Sequence, residues 1–181
     1  MRKRDPLADA PELIRRVYSY VAYRLGDGPE AEDVTSDVFE RALRYRDSYD
    51  PSRGEPLGWL LGIARRCVDD AARKRVATAP EAPDGASDQN VEVEAVERLT
   101  VAAAISRLDA RGQDLIALRF GADLTAREIA RILGVKTNAV EVALHRTLAR
   151  LRPDLEQARR PEEPGEPAQS APQASVSTSG K

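Results

Sequence analysis

One stretch of the sequence constrains the fold more than any other. It spans Leu124–Arg152 and reads LTAREIARILGVKTNAVEVALHRTLARLR. Thr125, followed three residues later by Glu128, is a capping-box pattern that predicts the start of a helix, and Gly134 suits the left-handed residue that ends one. Apolar residues then recur at helical spacing and predict a second helix, at Val140, Leu144, Leu148 and Leu151. Two short helices around a glycine turn predict a helix-turn-helix.

The second of these helices carries polar and basic side chains opposite its apolar stripe. A recognition helix presents such groups to the major groove, so they are the candidate contacts to duplex DNA: Lys136, Thr137, Asn138, Glu141, His145 and Arg146. The net charge of the whole chain is only −2, yet residues 96–152 carry ten basic and six acidic groups. Positive charge therefore collects where phosphate contacts require it. The alternative is a solvated face of an ordinary helical bundle.

Residues 11–75 predict a separate module of three helices. Apolar residues four apart run from Leu13 to Leu25, a second helix is expected over residues 30–44, and a third over residues 57–75. Trp59 is expected to lie in the core of this module.

A second candidate nucleic-acid surface combines aromatic rings with basic side chains. Two tyrosines and two arginines lie in the loop between the second and third helices, and more basic residues follow along the third helix. Stacking rings beside cations suit single-stranded bases and their backbone. The residues are Tyr45, Arg46, Tyr49, Arg53, Arg65, Arg66, Arg73, Lys74 and Arg75. For the loop tyrosines, a structural role as caps on a small core stays open beside base stacking.

Two segments lack helical periodicity. Residues 76–95 contain five acidic groups and no basic group, together with prolines and glycine, and read as an acidic flexible linker. Residues 96–155 then predict a second helical domain, and residues 156–181 a disordered tail rich in proline, glutamate, glutamine and serine. The expected fold is all-α, with two small helical domains joined by a flexible linker.

The sequence offers little for catalysis. It contains no phosphate-binding loop, dinucleotide fingerprint or nucleophile elbow. His145 is the only histidine and Cys67 the only cysteine, so we expect no cofactor, no metal and no disulfide within one chain. The N-terminus has no apolar stretch of signal-peptide or membrane-span length, which predicts a cytoplasmic protein without direct membrane insertion. An enzyme is not expected.

Two runs of sequence together resemble one protein family. AEDVTSDVFERAL, over residues 31–43, and YDPSRGEPLGWLLGIARR, over residues 49–66, resemble domain two of the bacterial extracytoplasmic-function (ECF) sigma factors. LDARGQDLIALRFGADLTAREIARILGVKTNAVEVALHRTLARLR, over residues 108–152, looks like their domain four. The order of the runs, their spacing and the acidic linker also match. The resemblance covers about residues 11–155.

The resemblance implies a role in transcription initiation. Domain two of the family opens the minus-ten element and reads it as a single strand, whereas domain four reads the minus-thirty-five element as duplex and packs on the flap of the second-largest polymerase subunit. An acidic helix of domain two docks on the largest subunit, which here implies Asp33, Ser36, Asp37, Glu40 and Arg41. The implied partners are core RNA polymerase, promoter DNA and an anti-sigma factor of unknown identity.

Several positions depart from the family's usual pattern. Ser36 stands where glutamine is frequent, and Arg66 where asparagine is usual. The recognition helix reads AVEVA over residues 139–143, where the family commonly has TVKSR. Glu141 either accepts a hydrogen bond from cytosine N4 or only faces solvent, and both readings stay open.

Two other classes of protein compete with the sigma factor. One is a stand-alone helix-turn-helix regulator that binds a duplex operator without polymerase, and the other is an adaptor whose helices bind only proteins. A repressor needs neither the loop of residues 45–53 nor an acidic linker. The sequence therefore favours the sigma factor.

Overall fold

The computed structural model describes residues 5–78 and 101–158 of the chain. The predicted linker and tail lie outside these residues, apart from residues 76–78 and 156–158. Within the described ranges the protein forms seven helices and no strand, which confirms the all-α expectation.

Three helices form the first half of the described structure: α1 (Ala10–Leu25), α2 (Pro29–Arg44) and α3 (Pro56–Thr78). Gly26 and Gly28 both have positive φ, 95° and 136°, and turn the chain from α1 into α2. Helix α3 runs three residues further than the predicted end at residue 75, because no glycine or proline interrupts it there.

The second half contains four helices and a short π-type turn. They are α4, of which residues 101–106 are described, α5 (Ala110–Ile116), the turn Ala117–Gly121, α6 (Ala126–Leu133) and α7 (Thr137–Ala158). The side chain of Asp109 caps α5, because its carboxylate accepts a hydrogen bond from the Gly112 amide at 3.0 Å.

Helix α7 continues through Pro153 to Ala158, three residues past the predicted end of the domain at residue 155. Leu151 is buried and Leu155 packs beside it, in a small cluster with Ala104, Ile105, Leu108 and Ile116. The burial of these side chains offsets the hydrogen bond that the proline cannot donate.

The main hydrophobic core passes through both halves of the chain. Its members share almost complete burial, and they come from α1, α2 and α3 as well as from the turn, α6 and α7: Val17, Val21, Val38, Leu60, Leu61, Leu118, Ile129 and Val140. The two predicted domains therefore pack as one body in this structure, with a continuous apolar interior.

The backbones of the two halves approach closely where the π-type turn crosses α1. A Cβ atom added to Gly121 would lie 3.0 Å from the carbonyl oxygen of Ser19 and 3.0 Å from Cα of Tyr20. These are backbone atoms and cannot rotate away as a side chain can, so any side chain at Gly121 would have to push the turn and α1 apart by a few tenths of an ångström.

A hydrogen-bond clamp lies next to this crossing. The guanidinium of Arg16 on α1 donates to the carbonyl oxygen of Ala122 at 2.6 and 2.8 Å, and to that of Asp123 at 2.9 Å. Asp123 has a positive φ of 52°, unusual for a residue other than glycine. The clamp therefore fixes a bend of the backbone that leads from the turn into α6.

Gly121→Ala should weaken the packing between the halves. The new methyl group would push the turn away from α1, and we expect the free energy of unfolding to fall by about 1–3 kcal/mol in urea denaturation. Gly62→Ala is the matched control, because a Cβ at this helical position meets nothing within 4 Å. It should leave stability unchanged or raise it by up to about 1 kcal/mol. Equal stability of Gly121→Ala and the wild type would contradict the close approach.

Candidate nucleic-acid interface

Helix α6 begins and ends as the sequence predicts. The carboxylate of Glu128 accepts hydrogen bonds from the Thr125 amide at 2.8 Å and from its hydroxyl at 2.6 Å, and the Glu128 amide donates to Oγ1 of Thr125 at 3.3 Å. These hydrogen bonds lower the pKa of Glu128. Gly134 takes the left-handed conformation, with φ 67° and ψ 32°. The capping box and the glycine turn are both confirmed, and they set the entry of the chain into α7.

The buried stripe of α7 differs from the predicted one at one position. Val140, Leu144 and Leu151 are buried, but Leu148 is 42% exposed and Thr147 is buried in its place. Thr147 satisfies its hydroxyl by donating to the carbonyl oxygen of residue 143 at 2.9 Å. A repeat of 3.6 residues brings position 147 back toward the core and leaves position 148 on the flank.

The opposite face of α7 points to solvent. Of the six candidate duplex contacts, five are exposed and Thr137 is half-buried; the exposed ones are Lys136, Asn138, Glu141, His145 and Arg146. A groove of about 590 Å³ lies between this face and the start of α5. Arg111 and Arg150 also line the groove, and sequence reasoning missed them. Arg150 follows Arg146 by one helical turn, a spacing that could have identified it.

The candidate polymerase-binding residues lie along one side of α2. Asp33, Ser36, Asp37 and Glu40 are exposed and Arg41 is half-buried, while the other side of α2 packs into the core. Glu40 pairs with Arg44 at 2.8 Å, and Arg41 lies 3.6 Å from Asp70 on α3. The predicted residues therefore share a continuous, mostly acidic surface.

The loop between α2 and α3 forms two short 3-10 turns, Arg46–Ser48 and Pro51–Arg53. Tyr45 is 56% exposed, whereas Tyr49 is only 7% exposed. The Tyr49 ring packs 5.6 Å from the Trp59 ring, and its hydroxyl donates to the carbonyl oxygen of Gly54 at 2.9 Å. Tyr49 thus supports the loop from inside, and Tyr45 presents the exposed ring. Trp59 packs against the main core, as expected.

The basic residues of α3 differ in their exposure and in their ion pairs. Arg66 is exposed. Arg73 pairs with Asp70 at 2.8 Å, and Arg75 pairs with Glu30. Arg46, Arg53 and Lys74 are also exposed. Within this track, Arg73 and Arg75 therefore already have acidic neighbours in the packed form.

Arg65 is engaged by the other half of the chain. Its Nε donates a hydrogen bond to the carboxylate of Asp114 on α5 at 3.0 Å, and its Nη2 makes an ion pair with the same carboxylate, also at 3.0 Å. Asp114 is buried and also accepts from the Tyr20 hydroxyl at 2.7 Å and from Arg24 Nη1 at 3.2 Å. Burial, together with the Asp114 carboxylate, raises the pKa of Tyr20 and keeps its hydroxyl protonated as a donor. We call these four side chains the Asp114 network.

The structure also brings the loop close to the helix-turn-helix. A cleft of about 840 Å³ has Tyr49, Arg53 and Trp59 on one wall, and Glu128, Arg131 and Ile132 of α6 on the other. The two candidate nucleic-acid surfaces thus belong to one body, and one side of the loop faces α6. No cluster of three or more metal-ligating side chains occurs in the two described ranges. None of the helices over residues 5–78 and 101–158 is long and apolar enough to cross a bilayer.

Both halves of the chain match known families. Residues 12–78 match the family described as Sigma-70 region 2, and residues 104–153 match Sigma-70, region 4. The two matches follow the order and approximate extent of the two helical modules described above.

Several curated proteins are similar over most of the chain. The ECF RNA polymerase sigma factor BldN of Streptomyces coelicolor is 36% identical over 150 residues, which are 76% of this chain and 56% of BldN. This chain therefore spans little more than half the length of that relative. The ECF RNA polymerase sigma factor SigD of Mycobacterium tuberculosis is 34% identical over 172 aligned positions, and the match covers 84% of this chain and 78% of SigD.

Two solved structures share the fold. The sigma factor RpoE of Bartonella quintana, in complex with the anti-sigma factor NepR, has a TM-score of 0.67 at 17% identity and covers 84% of this chain and 96% of its own. CnrH, in complex with the cytosolic domain of CnrY, has a TM-score of 0.55 at 24% identity. The match covers 83% of this chain and 85% of the CnrH chain. The similarity to SigD and BldN, together with the two family matches, shows that the chain belongs to the ECF RNA polymerase sigma factors.

Proposed function

We propose that this protein binds core RNA polymerase and directs initiation at a two-part promoter. It reads the minus-thirty-five element as duplex through α7, and the minus-ten element as a melted strand through the loop and α3. The observation that carries this proposal is the outward face of α7, which a capped helix-turn-helix holds clear of the core with its polar and basic groups exposed.

Duplex recognition is supported by two kinds of side chain on the outward face of α7: cations suited to phosphates, and groups that can hydrogen-bond base edges. Lys136 and Arg150 supply cations along the rim of the groove, where phosphates would lie. Asn138 carries an amide that can bond adenine in a bidentate manner, and Arg146 can do the same with guanine. Contacts of both kinds are needed to place a helix in a major groove and to read sequence there.

Single-strand capture is supported by the exposed part of the loop. Tyr45 offers an open ring, and Arg46, Arg53 and Arg66 are exposed cations on the same half of the chain. An unstacked base needs a flat apolar partner, and its backbone needs positive charge. Tyr49 contributes indirectly, since its packing on Trp59 holds the loop in shape.

Partner binding is supported by the exposed acidic side of α2. The negative charge of these exposed carboxylates is complementary to a basic surface on the largest polymerase subunit; they belong to Asp33, Asp37 and Glu40. The two structural neighbours were solved with the anti-sigma factor NepR and with CnrY, and we propose that an anti-sigma factor also regulates this chain. This chain would act in the cytoplasm, where RNA polymerase acts.

The packed form is too small to contact both promoter elements at the same time. Elements centred about 25 base pairs apart lie roughly 85 Å apart along B-DNA at 3.4 Å per base pair. A single body of about 130 residues has a radius of gyration near 14 Å. We therefore propose that residues 11–75 and 96–155 act as separate domains on the promoter, and that the packed form described here opens first.

Run-off transcription with core polymerase tests the function. Wild-type protein should bind core and initiate at specific promoters. A triple variant with Lys136→Ala, Asn138→Ala and Arg146→Ala should still bind core but lose initiation by about a hundredfold or more, since each base or phosphate contact contributes ~1–3 kcal/mol.

Arg15→Ala is the control for this experiment, because Arg15 is an exposed cation on α1 that pairs with Glu12 on the same helix and lies outside the proposed promoter contacts. It should transcribe like the wild type. A symmetric footprint on duplex DNA without polymerase, and no binding to core, would instead support a stand-alone regulator. Full activity of the triple variant would support a protein-binding adaptor.

Asp114→Asn tests the proposed opening. The asparagine keeps the shape of Asp114 but removes the charge that compensates Arg65, and it leaves Arg24 with its longer ion pair to Asp69, at 3.6 Å. The free energy of unfolding should therefore fall by about 3 kcal/mol. If the packed form competes with polymerase, the affinity for core should rise as the packed population falls. Lower stability with higher affinity is an unusual pair of effects, and both can be measured on the same protein.

Asp154→Asn is the matched control, because Asp154 makes an ion pair with Arg107 at 3.3 Å within the second half of the chain. Its effect on stability should be at most about 1 kcal/mol, without a gain in affinity. Unchanged or weaker core binding by Asp114→Asn would contradict the opening step.

A further inference from the structure

The centre of the outward face of α7 is occupied by an apolar residue. Val142 is 43% exposed, and it follows the buried Val140 by two positions, which places it roughly opposite on the helix. Asn138 lies one turn before Val142 and Arg146 one turn after it, and all three line the same groove. A duplex lying against this face would meet the valine between the amide and the guanidinium.

Val142 belongs to neither of the two hydrophobic clusters of the described residues. A single exposed valine is ordinary on a protein surface. Here, however, it occupies the line along which a recognition helix reads bases. Glu141, the other candidate on this stretch, lies about a quarter-turn away on the flank.

The chemistry of valine restricts what it can read. It cannot donate or accept a hydrogen bond, so the polar edges of adenine, guanine and cytosine offer it nothing. The thymine C5-methyl group is the apolar feature of the major-groove edge, and apolar side chains recognise it by contact. A polar base edge against Val142 would instead lose its water without gaining a partner.

We propose that Val142 is a specificity-determining residue, which contacts the methyl group of a thymine in the duplex promoter element. This inference rests on the proposed function. Asn138 and Arg146 read the bases on either side, and Val142 sets the identity of the base between them.

The test uses holoenzyme assembled from core polymerase and the full chain. A randomised promoter pool first yields the sequence that wild-type holoenzyme selects. Each thymine of the duplex element is then replaced singly by deoxyuridine, which lacks the methyl group but keeps the same hydrogen bonds. At one thymine the replacement should lower wild-type initiation about fourfold, the loss that corresponds to one buried methyl group.

Val142→Ala provides the second arm of the test. It should lower initiation on the thymine promoter by a similar factor, and the deoxyuridine replacement should then cause no further loss. Alanine is a strong helix former at an exposed position, so the variant should fold normally. Leu148→Ala is the control: it removes a similarly exposed apolar side chain, roughly a third of a turn from Val142 on the same helix. It should keep the fourfold preference for thymine.

Three results would overturn the inference. They are a selected element without thymine, no effect of deoxyuridine at any position, and equal losses from deoxyuridine in Val142→Ala and the wild type. Failure of the proposed function looks different, because wild-type holoenzyme would then select no sequence at all. In that case the inference falls with it.

Discussion

A single buried carboxylate links the two halves of this protein. Asp114 on α5 accepts hydrogen bonds from Tyr20 and Arg24 on α1 and from Arg65 on α3. A carboxylate is costly to remove from water, and the cost is met only if several donors surround it. All three donors come from the first half, so the charge is compensated only while the halves are packed together. Separation must return this carboxylate and both arginines to water.

The apolar contacts around the Asp114 network also join the two halves of the chain. The main core is continuous through both halves, and the turn at Gly121 lies against the backbone of α1. These contacts hold the halves together without covering the outward face of α7. They do engage Arg65, and one wall of the loop faces α6. Packing thus leaves the outward face of α7, the proposed duplex-binding surface, open, while it restricts the surface proposed to bind the single strand.

Local signals in the sequence predicted most of the helices. The capping box of Thr125 and Glu128, the left-handed Gly134 and the apolar spacing of α1 to α3 depend on neighbouring residues, and the structure confirms them. The features that sequence reasoning missed depend on distant residues. Asp114 meets Arg65 across 49 positions, and the helix continues past Pro153 only because Leu151 and Leu155 find a place to pack. For Tyr49, the sequence left both base stacking and a role as a cap on a small core open, and its burial against Trp59, ten residues away, fits the second. The roles of individual residues at the promoter stay predictions.

Whether the two halves separate on the promoter can be measured directly as a distance between them. Cysteines introduced at the exposed Arg15 on α1 and Arg127 on α6 can be labelled selectively, because Cys67 is buried and burial raises the pKa of its thiol. In the free protein the two labels should give one short distance, within the roughly 40 Å width of a single packed body. In the complex with polymerase and promoter the distance should increase by about 30 Å or more, as the halves separate to reach elements about 25 base pairs apart. A distance that stays short in an active promoter complex would contradict the account.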